Sequence, residues 1–363
     1  MNRLILGQIE NAAYVPLPWE MPEIDYVDTR LEHDLSAYRQ FLEACYCLQK
    51  YDLKEIDLIH SFNAVCKTDR PWIASFETTM PRIWPQNEDE KNIYVQLIDW
   101  MKKDNCKTLY AMSRNAYDIQ RYMLSQYLLP ADVDMLMEKT KILYPPQKII
   151  ISQDQLDRKY STKKLNFLFV GRTFFKKGGR ETIRSLSEFA GEYDFKLTLV
   201  SSLDYNDYVT HATYEDKLKW KKIIQEKEWI EYYEALPNEM VLEKCREASV
   251  GLLPSFGDTF GYAVLEMQAA GCPVITTDLR AFPETNNDDC GWVCRLPTEE
   301  EDTDLEWDDE VWSRILEQEL RRCFQEIFHN PEIISIKGRK ALNRIKEMHD
   351  PYKYQLELAK NLE

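Results

Sequence analysis

Short apolar runs alternate with longer amphipathic segments along almost the whole chain. A run that is apolar on both faces must be covered on both, so this rhythm belongs to parallel sheets with helices above and below. In the first half the expected strands are Arg3–Leu6, Leu58–Ser61, Trp72–Phe76 and Thr108–Met112, with helical spacing over Leu31–Tyr51, Glu88–Lys103 and Arg114–Tyr127. The Pro145-Pro146 step and the polar stretch Ser152–Lys164 then interrupt the pattern and read as a connection, with a break near residue 155. The second half restarts with Leu165–Val170 and continues through strands at Phe195–Val200, Trp229–Tyr233, Val250–Pro254 and Pro273–Thr277. Between them lie helices at Arg180–Gly191, Tyr214–Lys227, Asn238–Ala248 and Phe260–Ala270. A closing helical segment runs from Val311, broken near Asn330-Pro331 and Asp350-Pro351. The expected domains are 1–155, 156–345, and a terminal helix over 346–363 that returns to the first domain.

Length and charge remove several function classes. The 363 residues suit two ordinary domains, and 44% hydrophobic content is enough for real cores. A net charge of -16 repels nucleic acid and anionic lipid surfaces, so no nucleic-acid partner and at most peripheral membrane contact is expected. No run approaches a membrane span and the N-terminus breaks into polar residues too early for a secretory signal, which makes a cytoplasmic location the expectation. The nine cysteines form no CxxC pair and read as reduced, buried thiols; Cys290 and Cys294 alone do not make a metal site.

Glycine marks where chemistry belongs. Of eleven glycines only Gly7 precedes Gly171, and a backbone cradle for an anion needs glycine, so the phosphate site is expected in the second half. There, Val170-Gly171-Arg172-Thr-Phe-Phe-Lys176-Lys177-Gly178-Gly179 sets an Arg and two Lys at a strand's end beside a helix start, a placement suited to two adjacent phosphates. It lacks the Walker order. The second motif, Pro254-Ser-Phe-Gly-Asp258-Thr-Phe260-Gly261 through Glu266, carries a loop carboxylate and a second carboxylate eight residues on. Glu266 lies among apolar neighbours, where an unpaired carboxylate is costly, and suits two vicinal hydroxyls such as those of a ribose. Taken alone, Asp258 also reads as an N-cap and Glu266 as a solvated helix residue.

Together the two motifs resemble family 4 of the glycosyltransferases, over about residues 165–277. The resemblance implies the GT-B architecture: α/β, two Rossmann-like doubly wound parallel-sheet domains facing across a cleft. It further implies a retaining transfer of a sugar from a nucleotide-diphosphate donor, a UDP- or GDP-sugar, to a hydroxyl of a glycan or glycolipid acceptor, in cell-surface polysaccharide synthesis. No cofactor and no metal are expected, since side chains and amides take the cation's place. Carried over by position, Gly171, Arg172 and Lys177 hold the diphosphate, Glu266 the ribose, Asp258 the sugar hydroxyls, and Phe260 and Gly261 the sugar and phosphate through their amides. Arg172, Lys177, Asp258 and Glu77 make up the expected catalytic set. Three departures stand out. Asp258 replaces the family's usual Glu, the glycine-rich loop after strand one is missing, and Glu77 follows a first-domain strand where many relatives place a histidine. A silent nucleotide-sugar-binding partner, and an epimerase or phosphorylase of the same architecture, are the other readings the residues allow. The triplets Asp132-Val-Asp134 and Asp302-Thr-Asp304 do not follow buried strands and read as helix-start electrostatics rather than metal ligands.

Overall fold

The computed structural model describes residues 2–9, 24–31, 57–162, 164–205, 207, 209–297 and 309–362, with 2–9, 24–31 and 309 described by backbone alone. It divides the chain into two units, 1–146 with 349–363, and 147–348. Of the helix expected over Leu31–Tyr51, residues 32–51 lie outside the described residues, as does the acidic triplet at 302–304; Leu31 itself ends a strand.

In the first unit the strands are β1 (Asn2–Ile9), β2 (Ile24–Leu31), β3 (Leu58–Phe62), β4 (Trp72–Phe76), β5 (Cys106–Ala111) and β6 (Thr140–Ile142), all parallel in the order β2-β1-β3-β4-β5-β6. β3 and β4 are buried at every position, which is why they read as continuous apolar runs. Helices α1 (Glu88–Lys102), α2 (Arg114–Ser125) and α3 (Pro130–Glu138) follow. Asn87 and Ser113 start the first two by accepting bonds from Glu90 N and Ala116 N. The core gathers Trp72, Phe76, Tyr94, Leu97, Leu109 and Leu136.

In the second unit the order is β12-β11-β10-β7-β8-β9, again wholly parallel. The strands are β7 (Leu165–Val170), β8 (Phe195–Val200), β9 (Ile230–Tyr233), β10 (Val250–Leu253), β11 (Val274–Thr277) and β12 (Trp292–Cys294). The helices are α4 (Gln153–Ser161), α5 (Gly179–Ser187), α6 (Tyr214–Gln225), α7 (Asn238–Glu247), α8 (Tyr262–Ala269), α9 (Phe282–Thr285), α10 (Asp309–His329) and α11 (Glu332–Met348); α12 (Pro351–Ala359) belongs to the first unit. An aromatic core holds this sheet, with Phe167 edge-on to Phe195 and Phe324 at 5.8 and 5.5 Å between centroids. Cys290 and Cys294 are buried beside β12 as packing groups. The unit is doubly wound, and the strand order reverses between β7 and β10.

Several elements differ from the sequence reading. Ser152–Lys164, taken as a connection, contains α4: Ser152 and Gln155 form a reciprocal capping box, and its one buried apolar residue, Leu156, leaves little periodic signal. The unit boundary falls at Pro146–Gln147 because the segment after it is already tied to the second unit, through Ile150 N to Ala269 O and Arg246 Nε to Ile150 O. β2 has no counterpart among the expected strands, nor have β6 and β12, whose three residues are too few to carry a periodic signal.

Candidate functional site

The chain leaves β7 through Val170-Gly171-Arg172 and leaves β10 through Pro254–Gly261. Because β7 and β10 pair directly at the strand reversal, both exits open at the carboxyl edge of the sheet, where the connections diverge and leave a crevice. The two turns are stitched together. Lys176 O accepts from Phe256 N at 2.9 Å and from Ser255 Oγ at 3.2 Å. Gly178, in the left-handed region at φ 72°, begins α5, and a Cβ there would collide with Pro254 O, so only glycine lets the turns touch. Arg172 O accepts from Asp204 N and Ser201 Oγ at 3.0 and 3.1 Å, which fixes the turn from the β8 side.

Within this frame Lys177 Nζ donates to Asp258 Oδ2 at 2.8 Å, across 81 positions of sequence, with side chains 22% and 15% exposed. The Lys177 chain lies over Gly171, whose missing Cβ makes the room. Burial raises the Asp258 pKa, but the ammonium of Lys177, with Lys176 and the Thr259 amide, outweighs it and holds the carboxyl below its usual range. Asp258 does not cap α8, whose N-cap is Gly261, at φ 84°. The helix therefore starts at Tyr262 rather than at Phe260, which is buried behind the loop.

Glu266 sits in the fifth position of α8, half-buried, with no hydrogen-bond or ion-pair partner among the described residues. Its burial pushes the carboxyl up to about 7. A carboxylate paying desolvation without a partner is what a site awaiting hydroxyl donors looks like. Arg172, by contrast, is exposed and has no partner among the described residues. Gly171, Arg172, Lys177, Asp258, Phe260, Gly261 and Glu266 thus all lie on the two exits of one strand reversal or on the helix that follows. Sequence reasoning missed Ser255. Its hydroxyl serves Lys176 O and Gly257 N while its carbonyl accepts from Thr277 Oγ1 at 2.6 Å, so it fixes the loop that carries Asp258; the Pro-Ser-Phe-Gly turn signal was the available clue.

Glu77 lies in the first unit at the carboxyl end of β4. It is 4% exposed, with Oε2 3.1 Å from Arg82 Nη1 and its amide donating to Asn63 Oδ1. His60 lies inside β3; its Nε2 is 2.8 Å from Ser75 Oγ, and burial lowers its pKa to about 4. Asp132 opens α3 and pairs with Lys102 at 2.8 Å. Among the described residues no three His, Cys, Asp or Glu side chains converge as a metal site, and no helix is long and apolar enough to cross a membrane.

Comparison with known proteins bears on this arrangement. Residues 164–304 match the model of a family described as Glycosyl transferases group 1. An uncharacterized glycosyltransferase of Methanocaldococcus jannaschii is 26% identical over 216 residues, 53% of each chain. An uncharacterized 41.2 kDa protein in the cps region of Klebsiella pneumoniae is 28% identical over 172 residues, 45% of this chain and 43% of that protein. The match thus spans about half the length of these curated relatives. Among solved structures, sucrose-phosphate synthase of Thermosynechococcus elongatus superposes with TM-score 0.67 at 12% identity, covering 99% of this chain and 98% of that one. Anabaena HepE in complex with UDP and glucose gives 0.64 at 11%, covering 100% and 99%. The structural likenesses establish the fold as GT-B, and the matches together support a glycosyltransferase of that type.

Proposed function

We propose that the chain is a retaining, metal-independent glycosyltransferase of family 4 that moves a sugar from a UDP- or GDP-sugar to a hydroxyl of a glycan or glycolipid, in cell-surface polysaccharide synthesis. The observation that carries the proposal is that the two exits of the β7–β10 reversal and the helix that follows carry Arg172 and Glu266, whose side chains have no partner among the described residues, together with the ion-paired Lys177. The group-1 match covers this region, and the UDP and glucose held by HepE fit the same chemistry.

In this reading Glu266 accepts bonds from the ribose hydroxyls, Arg172 and Lys177 take the diphosphate, and Asp258 meets hydroxyls of the donor sugar. In the first unit Glu77 is the candidate carboxylate for the transferred sugar. The bond between the anomeric carbon and the diphosphate oxygen breaks, with the growing negative charge met by the guanidinium and ammonium. The acceptor oxygen forms the new bond on the same face, and its proton passes to the departing phosphate. No redox partner is needed for this balance.

A thermal-shift panel of UDP-, GDP- and other nucleotide sugars tests the donor, since a ligand at ~100 times its Kd adds about 2.7 kcal/mol to stability. With the right donor, Lys177→Ala and Glu266→Ala should each cut turnover at least ~100-fold, in keeping with loss of a charge-stabilising or orienting contact. Wild-type turnover in both variants would remove the site, and isomerised or phosphorolysed donor without transfer would replace the activity.

A further inference from the structure

We propose that Asp258 is a resident counter-anion for Lys177: in the empty protein its carboxylate occupies the place on the ammonium that a donor phosphate oxygen takes, and its charge speeds release of the spent nucleoside diphosphate. The inference rests on the donor reading above and goes beyond a sugar-hydroxyl role for Asp258.

The geometry makes the pair durable. Lys177 and Asp258 are both largely buried and 2.8 Å apart, and the turns that carry them are held to one another at Lys176 O and Gly178. The junction holds the two backbones at the spacing of this pair and leaves the side chains able to change partner by rotation. The chain's two candidate phosphate cations are therefore unlike: Arg172 is exposed, with no side-chain partner among the described residues, while Lys177 is already paired. An incoming diphosphate gains the full attraction of one cation and must share the other with a fixed carboxylate. Sharing weakens the grip on any nucleoside diphosphate, product included, whereas the ammonium stays aimed at the bond that breaks.

Direct binding of UDP, with GDP run in parallel, tests this without knowing the sugar. Asp258→Asn keeps the shape and removes the charge, and should tighten UDP by roughly tenfold or more while lowering turnover through product inhibition. Asp258→Glu keeps the charge and should bind UDP within about threefold of wild type. The double variant Lys177→Met with Asp258→Asn carries no lone buried charge, so it reports even where the single variant does not fold. Relative to Lys177→Met alone it should change UDP affinity by less than about threefold, because Asp258 acts through the ammonium. Unchanged or weaker UDP binding by folded Asp258→Asn, or equal tightening with Lys177 absent, overturns the inference and leaves the donor reading standing. Failure of the wild-type protein to bind either UDP or GDP overturns both.

Discussion

Glu266 is where single-residue chemistry is most exposed to test. Its carboxyl titrates near 7 in the folded protein against 4.5 as an ordinary glutamate. The folded state therefore binds more protons than the unfolded one between those values, and the group costs stability as pH rises through that window. Glu266→Gln should accordingly be more stable than wild type at pH 8, by about 1–2 kcal/mol after allowance for solvent screening, and indistinguishable from it near pH 4; urea midpoints at the two pH values check this. Donor hydroxyls prefer the ionised carboxylate, so UDP should bind roughly tenfold more weakly at pH 6 than at pH 8 beyond any change seen in Glu266→Gln. Titration calorimetry on both proteins reads the difference. That Glu266 is special was visible in its apolar neighbours. That it has no partner among the described residues was not, because partners come from segments distant in sequence.

At the level of elements the instructive case is α4. Six of the nine residues in Gln153–Ser161 are exposed and only Leu156 is fully buried, so the segment carries no apolar stripe and resembles a linker. Its function in the fold comes from two side chains at its end. Lys159 Nζ donates to Cys245 O and Ala270 O at 3.1 and 2.8 Å, and Tyr160 OH donates to Gly271 O at 2.7 Å. These carbonyls belong to the ends of α7 and α8, where backbone acceptors lack helical partners and positive charge is favourable. α4 is thus a brace on the helix that bears Glu266. Tyr160→Phe should cost about 1 kcal/mol by thermal or chemical unfolding, the usual worth of one such bond. No loss, or a gain, would mean that the brace is incidental. By contrast α1 and α7, with regular apolar spacing, were legible to within a residue at each end, as was α6 at its start.

For the whole molecule, the chain's return to the first unit after Met348 has consequences. Tyr354 and Leu358 of α12 pack with Leu58, Ile73 and Tyr110, while Asn361 donates to Tyr110 OH at 2.8 Å and accepts from Thr108 Oγ1 at 2.7 Å. A chain ending at Met348 uncovers this cluster. It should lose about 3 kcal/mol or more from the first unit, comparable to truncating one large core side chain, and melt several degrees lower by calorimetry. An unchanged melting profile would show that α12 is dispensable.

What the amino-acid sequence determined by itself was local: the parallel α/β class, the strands bounded by buried runs, and two motifs whose glycines and charges mark them as an anion-binding turn and an acidic loop. These follow from near-neighbour periodicity and from backbone conformations open to few residue types. Only the tertiary structure decided that β7 and β10 are adjacent at the strand reversal, that Lys177 meets Asp258, that the Arg172 and Glu266 side chains have no partners among the described residues, and that a polar stretch becomes a brace. Each of these depends on which distant backbone comes alongside, and strand order is chosen by the packing of the whole sheet rather than by any window of sequence.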